Sequence, residues 1–339
     1  MSGNDGSHIE ELYGEALKKY IQERTEQELY RGQLLSRQTI EHNISPEELI
    51  SWHKKALLDV FPETRSEILD SLDFLLEVMM GYGIAYRETQ SLRHLQQELN
   101  SEMEIAANVQ STLLETKIPE LKELEIGSLS VPAKHMNGDF YQFLQDDETG
   151  SIGVAIADVI GKGIPAALCM SMIKYTMDSI PDKRHLPSKV LEALNEVVEK
   201  NVDTNMFITM FYGIYNPATS VFSYASAGHE PGLYYHAGSE TFDDLYAKGL
   251  LLGVDKHASY KQYEQQVEIG DMIILMSDGV TECRTDDGFI EKDYLIDLIR
   301  QHIHLHPREI VINVYKHLEK LQHFKLRDDF TLIILKKIQ

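Results

Sequence analysis

Near Lys117-Ile118-Pro119 the hydrophobic pattern of this chain changes period, and that change limits what each part can fold into. Before it, apolar residues recur at three- and four-residue spacing with almost no β-branched clustering, the signature of amphipathic helices. After it, short β-branched and aromatic runs alternate with helical stretches and with Gly, Pro, Asn and Asp. A helical segment therefore precedes a mixed α and β segment. At 339 residues the chain is long enough for two domains with cores of their own.

In the first part the pattern predicts one helix over residues 9–40. Ser45-Pro46-Glu47-Glu48 combines a capping box with proline at the first helical position. The helix it opens carries Leu49, Ile50, Trp52, Leu57, Leu58 and Val60 and stops at Pro62. Thr64-Arg65-Ser66-Glu67 opens another, with Ile68, Leu69, Leu72, Leu75, Leu76, Met79 and Met80; Gly81 and Gly83 interrupt this run without ending it. Over 88–114, Leu92, Leu99, Ala106 and Leu113 repeat every seven residues, with Leu95, Glu102 and Val109 as the partner series. That is close to the a/d spacing of a coiled coil. Two readings stand: a linker helix that pairs with a second copy, or an amphipathic helix lying on its own domain. Pairing is favoured because so small a helical domain gains core by it. The expected division is 1–86 for an all-α partner-binding and dimerisation domain, 87–118 for a coiled-coil-like linker helix, and 119–339 for an α+β domain.

In the last part, strands are expected at 124–131, 152–157, 206–215, 221–226, 232–236, 262–268, 272–277 and 330–337. Helices are expected at 164–180, 187–201, 292–301 and 307–322. Asn216-Pro217-Ala218-Thr219 supplies a hairpin turn. Hairpins outnumber strand–helix–strand units, so the sheets should be largely antiparallel and flanked by helices.

A formal net charge of −22 argues against nucleic acid and against an anionic membrane surface as partners. No apolar run approaches the roughly 20 residues that span a bilayer. Met1-Ser2-Gly3-Asn4-Asp5-Gly6-Ser7 lacks the features of a signal peptide and has a flexible composition. Only Cys169 and Cys283 are present, too few for a disulfide framework, so a reducing cytoplasm is expected.

Four short aspartate motifs sit at the edges of strand-like runs: Asn137-Gly138-Asp139, Ala157-Asp158-Val159, Ser277-Asp278-Gly279 and Arg327-Asp328-Asp329. Singly, each could be a turn or a charged gatekeeper. Asp158 is harder to dismiss, because it closes the apolar run 152–157, where an unpaired charge is costly. Together they suggest carboxylates converging on one cleft, which repel unless cations lie between them. Hard oxygen ligands suit Mg²⁺ or Mn²⁺. Gly161-Lys162-Gly163 lacks the Ser or Thr of a phosphate-binding NTPase loop. His229 could touch the site or serve as a structural hydrogen-bonding residue. His302, His304 and His306 are adequately explained as a surface connection. HExxH, paired CxxC and GxSxG are all missing, leaving zinc and serine hydrolase chemistry without support.

The succession of Gly138-Asp139, Ala157 to Gly163, Ala227-Gly228-His229, Ser277-Asp278-Gly279 and Asp328-Asp329-Phe330-Thr331 resembles the metal-dependent 2C-type (PPM) phosphatases, within them the bacterial SpoIIE-like branch. In the helical part, Ser36 to His42, Ser71 to Leu75 and Glu104 to Gln110 are similar to the RsbU-type phosphatases of the bacterial general stress response. The resemblance implies an αββα sandwich with two Mn²⁺ or Mg²⁺ ions at one end. Asp158 would bridge them with the carbonyl of Val159. Asp278 and Asp328 would hold one ion and Asp139 the other, with Asp329 as an alternative to Asp328. It also implies direct hydrolysis of phosphoserine on an anti-anti-sigma factor (RsbV-like), a homodimeric amino-terminal domain, and activation by a switch kinase (RsbT-like).

Gly138 stands where eukaryotic relatives carry glutamate, and no counterpart of their phosphate-binding arginine is identifiable. A weak second metal site and low resting activity are therefore expected, with a partner ordering the helices after Gly163. A non-catalytic dimeric adaptor and a small-molecule phosphohydrolase are the competing readings.

Overall fold

In this computed structural model the described residues are all except 1–2, 147, 162, 182–183, 203–205 and 286–287; the side chains of 3–6, 160, 284 and 285 are also outside the description. The chain forms two compact units, Met1–Asn100 and Ser101–Gln339.

The first unit holds α1 (Gly3–Glu23), α2 (Glu26–Glu41), α3 (Pro46–Val60) and the greater part of α4 (Ser66–Leu113). The single helix expected over 9–40 is thus two. Arg24 turns left-handed at φ 51°, and the Thr25 hydroxyl caps α2 by accepting the Glu28 N–H. Thr25-Glu26-Gln27-Glu28 has a capping-box sequence that the apolar periodicity concealed. The box at Ser45 forms in full, Ser45 Oγ accepting the Glu48 N–H while Glu48 Oε2 accepts the Ser45 N–H. Helix α1 begins at Gly3, inside the segment 1–7 whose composition suggests flexibility; Met1 and Ser2 lie outside the described residues. Trp52 packs against Tyr13 of α1, whose hydroxyl meets His53 Nδ1 at 3.0 Å. Little of the unit's apolar surface is covered: Ile9 and Ala56 are its buried apolar side chains among the described residues. Helix α4 runs unbroken through Gly81 and Gly83, and its seam residues Leu92, Leu95, Leu99, Val109 and Leu113 are exposed.

The second unit continues with β1 (Leu124–Val131), β2 (Asp139–Gln145), β3 (Ile152–Ile160), α5 (Ile164–Asp178), α6 (Pro187–Asn201), β4 (Phe207–Asn216), β5 (Val221–Ala227), β6 (Gly232–His236), β7 (Thr241–Leu245), β8 (Tyr263–Gln266), β9 (Met272–Met276), α7 (Asp278–Thr281), β10 (Arg284–Thr285), β11 (Gly288–Phe289), α8 (Lys292–His302), α9 (Pro307–Leu321) and β12 (Phe330–Lys337). Two five-stranded sheets form, in the orders β1-β12-β9-β6-β7 and β2-β3-β4-β5-β8, and β10 and β11 make a separate pair. The ladders among the described residues are antiparallel, as the hairpin signals implied.

Side-chain alternation assigns the layers. On β3, Ile152, Val154 and Ile156 join Phe211, Phe222, Ile273 and Ile333 between the sheets. The intervening Ala155, Ala157 and Val159 pack under Met170, Ile173, Leu191 and Leu194 of α5 and α6. On the far side, Ile274, Leu332 and Ile334 pack against Leu298 and Ile299 of α8 and Val311 and Val314 of α9. The unit is an αββα sandwich. Three differences from the sequence reading bear on the site. Strand β3 runs on to Ile160, so Asp158 and Val159 lie within it and not in a following loop. Asp139 opens β2, a strand the pattern did not separate from its loop. Asp278 opens the short helix α7, where a simple turn was the alternative.

Candidate metal centre

Asp139 and Asp158 are register partners across β2 and β3. Antiparallel register places directly opposite side chains on one face with Cβ atoms roughly 4.5–5.5 Å apart, where two negative charges repel. The adjoining turn is drawn in by the Val159 N–H, which donates to the Gly138 carbonyl at 3.1 Å.

Asp139 is 3% exposed, and its Oδ2 has no hydrogen-bond partner. Burial pushes its carboxyl well above the ordinary range; the hydroxyls of Ser277 and Thr331 oppose that, and Asp158 and Asp329 add to it by repulsion. Asp278 is raised as well, first by burial and then by the charges of Asp328 and Glu282. Ser277 ties the start of α7 to the start of β12: its Oγ accepts the Thr331 N–H at 3.0 Å and donates to the Asp329 carbonyl at 3.3 Å. Gly279 permits this approach, since a Cβ there would fall 2.0 Å from the Asp329 carbonyl oxygen.

The adjacent aspartates of the last motif separate cleanly. Asp328 is exposed, with its Oδ1 accepting the Asp329 N–H at 3.1 Å. Asp329 is buried, and both of its oxygens are engaged: Oδ1 accepts from Ala133 N–H at 2.7 Å and Oδ2 from Gly138 N–H at 2.5 Å. Asp329 thus fastens the 133–138 loop to the start of β12.

The donors gathered here are hard oxygens, and a buried Asp139 oxygen lacks a partner, so the chemistry fits Mn²⁺ or Mg²⁺. Among the described residues, no three His, Cys, Asp or Glu side chains converge as a ready-made cluster. Lys162, between Gly161 and Gly163 in the sequence, lies outside the described residues.

His229 adjoins the aspartate-bearing strands. It is buried, its Nδ1 meets Thr209 Oγ1 at 2.9 Å, and Thr209 is the β4 neighbour of Asp158. Burial lowers its pKa to about 4, opposed by the Met276 backbone, so it braces β4 as a neutral ring. His302 and His306 serve the α8–α9 connection, His306 capping α9 by accepting the Arg308 N–H. Gln110, Asn137, Ser130, Ser277 and Thr331 were missed by sequence reasoning. Each is a polar residue with at least one partner distant in the chain, as with Gln110 and Asn137 across 27 positions, and no local period marks such a pair.

Two family models match: Stage II sporulation protein E (SpoIIE) over residues 148–337, and the N-terminal domain of phosphoserine phosphatase RsbU over residues 11–85. Phosphoserine phosphatase RsbU of Bacillus subtilis (strain 168) is 58% identical over 329 residues, covering 97% of this chain and 98% of that protein. The fold is shared with the SiaA-PP2C domain of Pseudomonas aeruginosa (TM-score 0.62, 18% identity, 72% of this chain and 99% of that one). It is shared also with the RsbU and RsbW domains of Rv1364c from Mycobacterium tuberculosis (TM-score 0.55, 22% identity, 66% of this chain and 62% of that one). The chain belongs to the RsbU family of metal-dependent, PPM-type phosphoserine phosphatases.

Proposed function

We propose that this phosphatase removes phosphate from a serine of an anti-anti-sigma factor (RsbV-like), and that a switch kinase (RsbT-like) activates it through the amino-terminal domain and the linker helix. The observation that carries the catalytic part is the cross-strand pair of Asp139 and Asp158, with a buried, unpartnered Asp139 oxygen, while Asp278 feels the charge of Asp328. Asp139, Asp158, the Val159 carbonyl, Asp278 and Asp328 would hold two Mn²⁺ or Mg²⁺ ions. When bound, such a pair acidifies a shared water and neutralises charge in an in-line phosphoryl displacement. Asp158 lies between its partners on β2 and β4, which suits it to the bridging position. The commitment of both Asp329 oxygens to backbone N–H groups supports Asp328 as the ligand and Asp329 as its brace.

Homodimerisation through the α4 seam is part of the proposal. It is supported by the exposed Leu92, Leu95 and Leu99 and by the small buried core of the first unit. Residues 1–86 would bind the partner, 87–118 relay, and 119–339 catalyse. No described helix is long and apolar enough to cross a membrane, and both cysteines are buried thiols outside any disulfide. A cytoplasmic setting accords with this.

The test is phosphate release from serine-phosphorylated anti-anti-sigma factor with Mn²⁺, in the presence and absence of the kinase. Turnover that rises on adding the kinase is expected. No turnover under either condition would refute the proposal, and equal turnover under both would refute the activation.

A further inference from the structure

Gln110, in the last turn of α4, is buried at 5% exposure and grips one residue of the loop before β2. Its Nε2 donates to the Asn137 carbonyl at 2.8 Å, and its Oε1 accepts the Asn137 N–H at 3.0 Å. A side-chain amide pairing with both polar groups of one residue imitates a strand partner, and it holds only one orientation of that residue. The same Nε2 lies 3.5 Å from the sulfur of Met170, a buried residue of α5.

What Asn137 then does reaches Asp139 by two routes. Its Oδ1 accepts the Asp139 N–H at 3.0 Å, fixing where β2 starts. Its Nδ2 donates to Ser130 Oγ at 2.8 Å, Ser130 meets Thr331 Oγ1 at 2.9 Å, and Thr331 hydrogen-bonds the Asp139 carboxyl. Gly138 is held separately, by Asp329 and Val159. The Asn137 peptide groups are therefore the part of this loop that answers to α4.

We propose that Gln110 is a positioning residue for the metal centre, through which the end of α4 sets Asp139. The inference rests on the proposed role of Asp139 as a metal ligand. One residue of helical rotation swings a side chain by about 100°, so a modest twist of the last turn breaks both bonds to Asn137. Loss of an outer-sphere support of this kind typically weakens metal affinity by about 10–100-fold.

The test uses the full-length chain with Gln110→Leu, which keeps bulk and removes both bonds, and Gln110→Glu, which keeps shape and removes the donor. Thr112→Ala, an exposed position on the same turn, is the control. Mn²⁺ binding is read from the electron paramagnetic resonance signal of the unbound ion. In parallel, phosphate release yields kcat and KM, and thermal unfolding is followed without metal. At least a tenfold rise in half-saturating Mn²⁺ is expected for Gln110→Leu and a smaller rise for Gln110→Glu, with KM for the phosphoprotein unchanged and Thr112→Ala like the unsubstituted chain. Unchanged Mn²⁺ affinity in both variants overturns the inference. So does a lower metal-free melting temperature with normal Mn²⁺ affinity in the folded fraction, which would make Gln110 merely structural. Failure of the unsubstituted chain to bind Mn²⁺ would instead overturn the metal-centre reading on which this one rests.

Discussion

The Asp329 carboxylate occupies the space that a side chain at Gly138 would need. Its Oδ2 accepts the Gly138 N–H and stands 2.7 Å from the position of a Cβ on residue 138. Glycine at this position is accounted for by local packing: the loop is tied down by a buried carboxylate that leads into the other sheet. Gly138→Ala should cost about 1–3 kcal/mol through overpacking. In the double variant Gly138→Ala/Asp329→Gly, urea unfolding should show costs well short of additive. Additive costs would mean the two residues do not compete for that space.

The adjacent aspartates should separate in a simple pair of variants. Asp328→Asn, at an exposed position, should change metal-free stability by no more than about 0.5 kcal/mol while abolishing Mn²⁺ binding. Asp329→Asn turns one acceptor into a donor facing an N–H group, and should cost about 1–3 kcal/mol without metal. Urea unfolding and Mn²⁺ titration of both variants check this. The reverse pattern would make Asp329 the ligand.

His229 gives the fold a definite pH dependence. Its folded pKa, about 4, is below the ordinary imidazole value near 6.5. Over that window the unfolded chain takes up a proton that the folded chain does not, so stability is complete above the unfolded value and falls as pH drops. The loss between pH 7 and pH 5 should be about 2 kcal/mol. Urea unfolding of the unsubstituted chain and of His229→Gln at the two pH values checks it: the variant should lack this share of the slope.

The exposed seam of α4 should be a pairing surface. Leu99→Lys places a charge at a core a/d position and should convert a dimer to a monomer at micromolar concentration, as measured by light scattering with size exclusion. A variant that stays dimeric and still responds to the kinase would remove the helix from the relay.

Much of this architecture was legible in the chain. Ser45 to Glu48 marked its capping box, and the apolar run at 152–157 marked a central strand, because both signals are local. Thr25 was overlooked since the apolar period continues through it, and the α1–α2 break depends on a left-handed Arg24 that no period reveals. Of the aspartate motifs, those of Asp139 and Asp158 meet across one ladder. Which of Asp328 and Asp329 is committed to backbone could not be read, because the donors come from Ala133 and Gly138, nearly 200 positions away. The Gln110 contact was hidden for the same reason: heptad spacing marks faces of a helix, not the partner of one amide.

Carboxylates carried by β2, β3, α7 and the loop before β12 are proposed to hold the catalytic ions, Asp158 among them. The most direct measurement is Mn²⁺-dependent phosphate release by Asp158→Ala beside the unsubstituted chain, with Mn²⁺ binding followed on the same samples. The expected result is a folded variant with no Mn²⁺ binding at concentrations that saturate the unsubstituted chain, and turnover reduced at least about 1,000-fold. A variant that binds Mn²⁺ and turns over normally would contradict the account.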